Sequence, residues 1–171
     1  MGSRRNEERI SRNVGLLISN LVRCPEVATV KYDPRQQTVR FSLLLAGSQD
    51  EAQWQVTREK FRETLEVYHL LQMRQATVVE VVGAEYGEMR SIAITRDART
   101  CTPEEIYTII EFFRERYTGQ LVTDVLEFTG EDDMLAQDEM IEEILADLEE
   151  DKAGHNLIAI REDGRLMVFA K

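Results

Sequence analysis

The segment 27–118 most constrains the fold, because it contains the same local pattern twice. In each copy, two short stretches of alternating apolar and polar residues flank turn residues, and an amphipathic helix follows. The first copy has strands over 27–32 and 38–45 and a helix over 49–72, and the second has strands over 77–82 and 89–95 and a helix over 103–118. Few residues are identical between the copies, so duplication is a hypothesis that rests on the pattern.

The second strand of the first copy has the clearest side-chain period of two. Its apolar residues are predicted to face the core, and they are Val39, Phe41, Leu43 and Leu45. The polar residues between them, such as Arg40 and Ser42, are predicted to lie on the opposite face. The sheet is therefore expected to bury one face.

Both repeat helices are predicted to begin with a capping box, in which a hydroxyl and a carboxylate accept hydrogen bonds from free amides of the first turn. Ser48 and Glu51 form the first box, and Thr102 and Glu105 form the second. The apolar residues that follow at helical spacing are Trp54, Phe61, Leu65 and Tyr68 in the first helix and Ile106, Ile109, Ile110, Phe113 and Tyr117 in the second.

The sequence predicts an α+β fold, with an N-terminal helix and two β-hairpin–helix units in an αββαββα-like order. A sheet of four or five strands is expected, covered by helices. Residues 1–128 form the predicted core domain, with its units at 27–72 and 77–118, and residues 129–171 add an acidic amphipathic helix and a closing β-hairpin docked on the core. A sheet whose other face remained apolar would have to pair, so we expect a homodimer. The first repeat helix also has apolar residues outside its main stripe, so it is either buried by two layers or docks onto a second copy; these residues include Val56, Val67, Leu70 and Met73.

The net charge of −11 is concentrated in one segment. Residues 131–151 contain eleven acidic residues and no Lys or Arg, whereas the other 21 acidic residues balance 21 Lys and Arg. Such a segment attracts basic protein partners and repels phosphate backbones. Its apolar residues at helical spacing form a stripe that either packs against its own domain, the favoured interpretation, or is a candidate partner-binding surface: Met140, Ile141, Ile144, Leu145 and Leu148.

Several classes of function are disfavoured by the sequence. It has no run of about 18 apolar residues and no secretory signal, so we expect a cytoplasmic protein without a membrane span. Cys24 and Cys101 are expected to be reduced thiols, and His69 and His155 to be structural or solvent-exposed. We recognise no phosphate-binding glycine loop and expect no metal site and no cofactor.

We therefore expect a noncatalytic cytoplasmic regulatory or adaptor-like protein that acts through protein–protein contacts. One alternative is an RNA-binding factor that uses a basic N-terminal helix and first hairpin, with contacts from Arg4, Arg9, Arg12, Arg35 and Arg40. The order of a helix, a hairpin and a helix resembles small RNA-binding domains of ribosome assembly factors, but the Gly-x-x-Gly clamp and base-stacking aromatics of RNA-binding domains are missing, so nucleic acid is disfavoured. A second alternative is an enzyme whose site is built from scattered residues.

Overall fold

The protein is described by a computed structural model that covers residues 2–47, 49–123, 157–162 and 165–170. Within these residues the chain forms three helices and six strands. In chain order they are α1 (Gly2–Arg23), β1 (Val27–Asp33), β2 (Thr38–Ala46), α2 (Glu51–Leu71), β3 (Val79–Tyr86), β4 (Met89–Asp97), α3 (Pro103–Arg116), β5 (Leu157–Glu162) and β6 (Arg165–Ala170).

The strands form one antiparallel sheet in the order β3-β4-β2-β1-β5-β6. Its centre is the β2–β4 pair, whose register runs from Thr38 opposite Asp97 to Ala46 opposite Met89 and joins the two hairpins. Strand β5 pairs with β1 and extends the sheet beyond the four strands of the hairpins. The predicted α+β class, with an antiparallel sheet and helices, is confirmed.

The core lies between the sheet and the three helices. The predicted inner residues of β2 are buried, and α1 packs onto the same core through Val14, Leu17, Ile18 and Leu21. The ring centroids of Phe61 on α2 and Phe113 on α3 are 5.0 Å apart, so these helices contact each other over the sheet. The helical stripes predicted from the sequence thus meet in one apolar cluster.

The other face of the sheet is mixed in character. Arg40 on β2 and Lys31 on β1 are paired across the strands and exposed, and Ser42 lies two residues further along β2. Val82 on β3 is about half exposed. This composition does not require a second apolar layer, and the homodimer remains a prediction.

The two helix starts differ from the predicted capping boxes. The N-cap of α2 is Asp50, whose carboxylate accepts a hydrogen bond from the Ala52 amide at 3.1 Å, and the predicted cap was Ser48. The N-cap of α3 is Thr102, as predicted, and its hydroxyl accepts from the Glu105 amide at 3.3 Å. The predicted reciprocal role of Glu105 was wrong, because its carboxylate turns into the core and binds Arg96.

Several predictions fall outside the described residues. The acidic helix is among them, together with its candidate stripe of Met140, Ile141, Ile144, Leu145 and Leu148. After α3, the described part of the chain contains one isolated antiparallel bridge, from Leu121 to Leu45.

Candidate functional site

A buried ion pair lies where β4 ends and α3 begins. Arg96 is 1% exposed, and its Nε and Nη2 atoms donate to the two carboxylate oxygens of Glu105 at 2.9 and 3.1 Å. Two parallel bonds of this kind fix the relative orientation of both side chains. Burial by itself lowers the pKa of Arg96, but the hydrogen bonds and charge of Glu105 raise it above its ordinary value, so the guanidinium stays charged.

Asp97 extends this network into the neighbouring loops. Its Oδ1 atom accepts hydrogen bonds from the amides of Thr77 and Val78 at 3.2 and 3.0 Å, and its Oδ2 atom accepts from the amide of Thr100 at 3.1 Å. Burial alone raises the pKa of Asp97, but the hydrogen bonds from Thr100 and Val78 and the charge of Arg96 outweigh burial and lower it. Asp97 is therefore held as a carboxylate that organises both loops.

His69 and Cys101 complete the surroundings of Glu105. The Nε2 atom of His69 on α2 contacts Glu105 Oε1 and lies 3.5 Å from Nη2 of Arg96. Burial, followed by the negative charge of Glu105, raises the pKa of the Cys101 thiol, so Cys101 remains protonated and unreactive. The ionisable groups of this cluster bind one another, and the result is a fixed connection from β4 to α3.

A cleft of about 570 Å³ lies between that connection and α1. Asn13 on α1 donates its side-chain amide to the carbonyl oxygens of Ala98 and Cys101, the latter at 3.2 Å, and so holds α1 against the connection. Four of the lining residues are arginines from α1, from the α2–β3 loop and from the β4–α3 connection. The lining consists of Arg9, Arg12, Asn13, Leu16, Arg74, Arg99, Cys101 and Thr102, and we call it the basic cleft.

The structure brings together only some of the predicted nucleic-acid contacts. Arg9 and Arg12 line the basic cleft, and Arg4 is exposed nearer the start of α1. Arg35 is exposed in the β1–β2 turn, and Arg40 is exposed on the sheet face opposite the helices.

Arg74 and Arg99 were missed by sequence reasoning. Each lies in a loop without periodicity, and neither belongs to a run of basic residues. Only the packing of α1 against the β4–α3 connection brings these two residues to the same cleft as Arg9 and Arg12. A prediction of long-range contacts could have found them, whereas a search for charge clusters along the chain could not.

A second buried arginine lies near the other end of β4. Arg90 is also 1% exposed, and its Nη2 atom is 2.7 Å from Glu85 and 3.5 Å from Glu51. Its guanidinium carbon lies 5.4 Å from the ring centroid of Trp54, a cation–π distance. Gly83 leaves room for this ring, because a Cβ atom there would lie 2.6 Å from Cε2 of Trp54.

Helix α2 carries exposed apolar side chains on the side away from its buried stripe. Leu70 and Leu71 are 78% and 76% exposed, and Met73 in the following turn is 93% exposed. These three residues, with Val56 and Val67, form a surface that we call the α2 outer face. At its N-terminal end Val56 borders a second cleft, of about 440 Å³, which lies between α2 and the end of α3 and is lined by Gln49, Ala52, Gln53, Val56, Thr57, Arg116, Tyr117 and Gln120.

Comparison with known proteins adds no functional information. Searches against protein-family models, curated proteins and solved structures found no significant match. Within the described ranges, no three or more His, Cys, Asp or Glu side chains are arranged to hold a metal ion. No helix in the described part of the chain is long and apolar enough to cross a membrane.

Proposed function

We propose that this chain is a noncatalytic regulatory or adaptor-like protein that acts through protein–protein contacts, with the α2 outer face as a contact surface. The exposure of apolar residues on the side of α2 opposite its buried stripe carries this proposal. An α-helix rotates by about 100° per residue, so an arc of about 100° around the axis of α2 contains Val56, Val67, Leu70 and Leu71. Exposed apolar side chains that share one helix face are a feature of interaction sites, and they support this proposal.

The geometry of α2 favours a second copy of the chain as the partner. An antiparallel crossing of two α2 helices between residues 61 and 62 places Val56 opposite Val67 of the partner subunit and Lys60 opposite Glu63 of the partner subunit. The same crossing directs Leu70 and Leu71 towards the 440 Å³ cleft of the other copy, which Ala52 and Gln53 help to line. A twofold axis makes each of these contacts twice.

Burial of the apolar side chains of this surface would favour association, and this gain is set against the freedom that the two copies lose on binding. Burying one Leu side chain contributes about 1.5–3 kcal/mol, and the crossing buries Leu70 and Leu71 of both copies. The opposite charges of Lys60 and Glu63 add little affinity, but they select the antiparallel orientation.

Light scattering coupled to size exclusion tests the proposal, with the double variant Leu70→Lys/Leu71→Lys. We expect the wild-type protein to have the mass of a dimer and the variant that of a monomer with unchanged circular dichroism. Gln55→Lys, on another exposed side of α2, is the matched control and is expected to remain a dimer. A monomeric wild type, or a variant that stays dimeric, contradicts the proposed contact.

We also propose that the protein is cytoplasmic and that residues 129–171 carry an acidic helix, a closing hairpin and a second contact surface for a basic protein partner. The eleven acidic residues in 131–151 and the stripe from Met140 to Leu148 support this. Deletion of 131–151 is expected to abolish capture of a basic partner. The deleted protein is expected to remain a dimer, with a mass lower only by that of the removed residues. Aggregation of the deleted protein would instead assign the segment to the fold.

RNA binding is the second candidate function, and the presence of Arg9 and Arg12 in one cleft favours it. It ranks lower because the described residues that line the cleft include no aromatic residue and because Arg40 lies on the opposite sheet face. RNA binding predicts affinity for a single-stranded oligonucleotide that falls steeply with salt. Binding that is equally weak at low and high salt contradicts it.

A further inference from the structure

We propose that the basic cleft is a binding site for a small ligand that carries two or more phosphate groups. This inference goes beyond the proposed protein contacts, because the basic cleft and the α2 outer face share no residue. Its starting point is the convergence of four arginines from three separate parts of the chain on one concave surface.

The arginines lack counter-charges in the described structure. The described residues that line the basic cleft include no carboxylate, and within the same part of the chain no acid forms an ion pair with Arg9, Arg12, Arg74 or Arg99. Four like charges in one cleft repel one another, and a bound polyanion relieves that repulsion. Guanidinium groups also match phosphate oxygens in geometry, with two parallel hydrogen bonds per group.

Two buried acids that flank the β4–α3 connection are paired with Arg96 and not with the arginines of the cleft. Asp97 lies two residues before Arg99 in the chain and Glu105 three residues after Thr102, and both are bound to Arg96 in the core. Their hydrogen bonds are already directed to Arg96, to loop amides and to His69. These two carboxylates are therefore bound to other groups and do not serve as counter-charges for the four arginines of the cleft.

The same network prepares the cleft for a ligand. Arg99 lies in the β4–α3 connection, where Asp97 accepts a hydrogen bond from the Thr100 amide and Asn13 fixes the carbonyl groups of Ala98 and Cys101. Loop positions that are fixed before binding lose less conformational entropy when a ligand arrives. The position of Arg99 relative to Arg12 on α1 is thus set by the fold.

The size and lining of the cleft favour a small ligand over a nucleic acid strand. Its volume of about 570 Å³ falls within the usual range of small-molecule sites. Strand recognition relies on aromatic side chains that stack on bases, and Leu16 and Cys101 supply the apolar part of this lining. The ligand is therefore expected to be recognised through its phosphate groups.

Isothermal titration calorimetry of the full chain with inorganic tripolyphosphate tests the site. The variants are Arg12→Gln, Arg99→Gln and their combination, all at exposed positions. We expect one saturable site per chain, about tenfold weaker binding in each single variant and a larger loss in the double variant, because each substitution removes charge-assisted hydrogen bonds. Arg40→Gln makes the same charge change on the opposite sheet face and is expected to leave the affinity unchanged.

Three results would overturn the proposal. Tripolyphosphate that shows no saturable binding removes the site. Equal weakening by Arg40→Gln and Arg99→Gln assigns the binding to net charge and not to the cleft. A single-stranded oligonucleotide that binds more tightly than tripolyphosphate, and loses affinity in the same cleft variants, assigns the cleft to nucleic acid. None of these results depends on the α2 outer face, so failure here is distinguishable from failure of the proposed dimer.

Discussion

Arg90 and Arg96 occupy the same face of the same strand and are equally buried, yet their surroundings differ. Arg96 is enclosed by acids that are themselves buried, since Glu105 is 1% exposed. Arg90 is bound by Glu85 and Glu51, whose side chains are 54% and 69% exposed, and by the ring of Trp54.

At Arg90 only the guanidinium is buried, whereas at Arg96 both members of the ion pair are buried. The acids that bind Arg90 keep most of their contact with water, so they lose little if the guanidinium is removed. The acids that bind Arg96 have no such alternative and would be left as uncompensated charges. Equal exposure of the two arginines therefore conceals unequal contributions to stability.

The largest expected effect is the difference between Arg96→Met and Arg90→Met. Arg96→Met is expected to lower the free energy of unfolding by about 3–5 kcal/mol, because Glu105 and Asp97 lose their buried partner. Arg90→Met is expected to cost about 1–2 kcal/mol, mainly the cation–π contact and one charged hydrogen bond. Urea unfolding at neutral pH measures both losses. Equal decreases in the free energy of unfolding would contradict the expected difference between Arg96 and Arg90.

Asp97→Asn tests the acidic side of the Arg96 network. Since the pKa of Asp97 is lowered on folding, its contribution is fully present above about pH 4 and is lost as the pH falls through the lower folded value. We expect a loss of about 2–3 kcal/mol at neutral pH that shrinks below about pH 4. Urea unfolding across this range measures it, with the exposed Glu80→Gln as control; a difference independent of pH contradicts the expectation.

Gly83→Ala tests the packing around Arg90. The new Cβ atom would lie 2.6 Å from the buried ring of Trp54, and the guanidinium of Arg90 lies over the face of that ring. The ring or the strand must therefore shift. We expect a loss of about 1–2 kcal/mol, in the lower part of the range for overpacking, because only one carbon is added. Thermal unfolding measures it against Val82→Ala, a half-exposed neighbour; a neutral Gly83→Ala would show that the ring moves freely.

Glu85→Gln is expected to have the smallest effect. The Glu85 side chain is more than half exposed, so its pair with Arg90 should contribute less than about 1 kcal/mol and should weaken at high salt. Urea unfolding at two salt concentrations compares it with Glu88→Gln, an exposed acid without an ion pair in the described residues. If Glu85→Gln lowers the free energy of unfolding as much as Asp97→Asn does, the acids at the two ends of β4 contribute equally to stability.

The sequence predicted elements whose cause is local. Period-two alternation identified the buried face of β2, and the hydroxyl of Thr102 before Pro103 identified the start of α3. The same local reasoning assigned Glu105 to the cap, because nothing nearby in the chain announces Arg96 as its partner. A buried arginine in a strand has no local pattern, so the network became visible only when β4, α2 and α3 were packed together.

The candidate sites follow the same division. Arg9 and Arg12 were predictable as a basic group because they belong to one helix, whereas Arg74 and Arg99 lie in separate loops and were not. It also singled out apolar residues on α2, and they are exposed in the structure as a helical face. Their partner remains a prediction because it depends on a second molecule.

The central position of the β2–β4 pair has a consequence for folding kinetics. Each hairpin closes a short loop and can form early, whereas pairing Thr38 with Asp97 requires the chain to close across α2 and β3. We therefore expect this pairing to be made in the rate-limiting transition state. Ile92→Ala at the centre of β4 should mainly slow folding, and stopped-flow kinetics that show only faster unfolding would contradict this. The strand pair that unites the two halves of the molecule would then also set the time the chain needs to reach its native state.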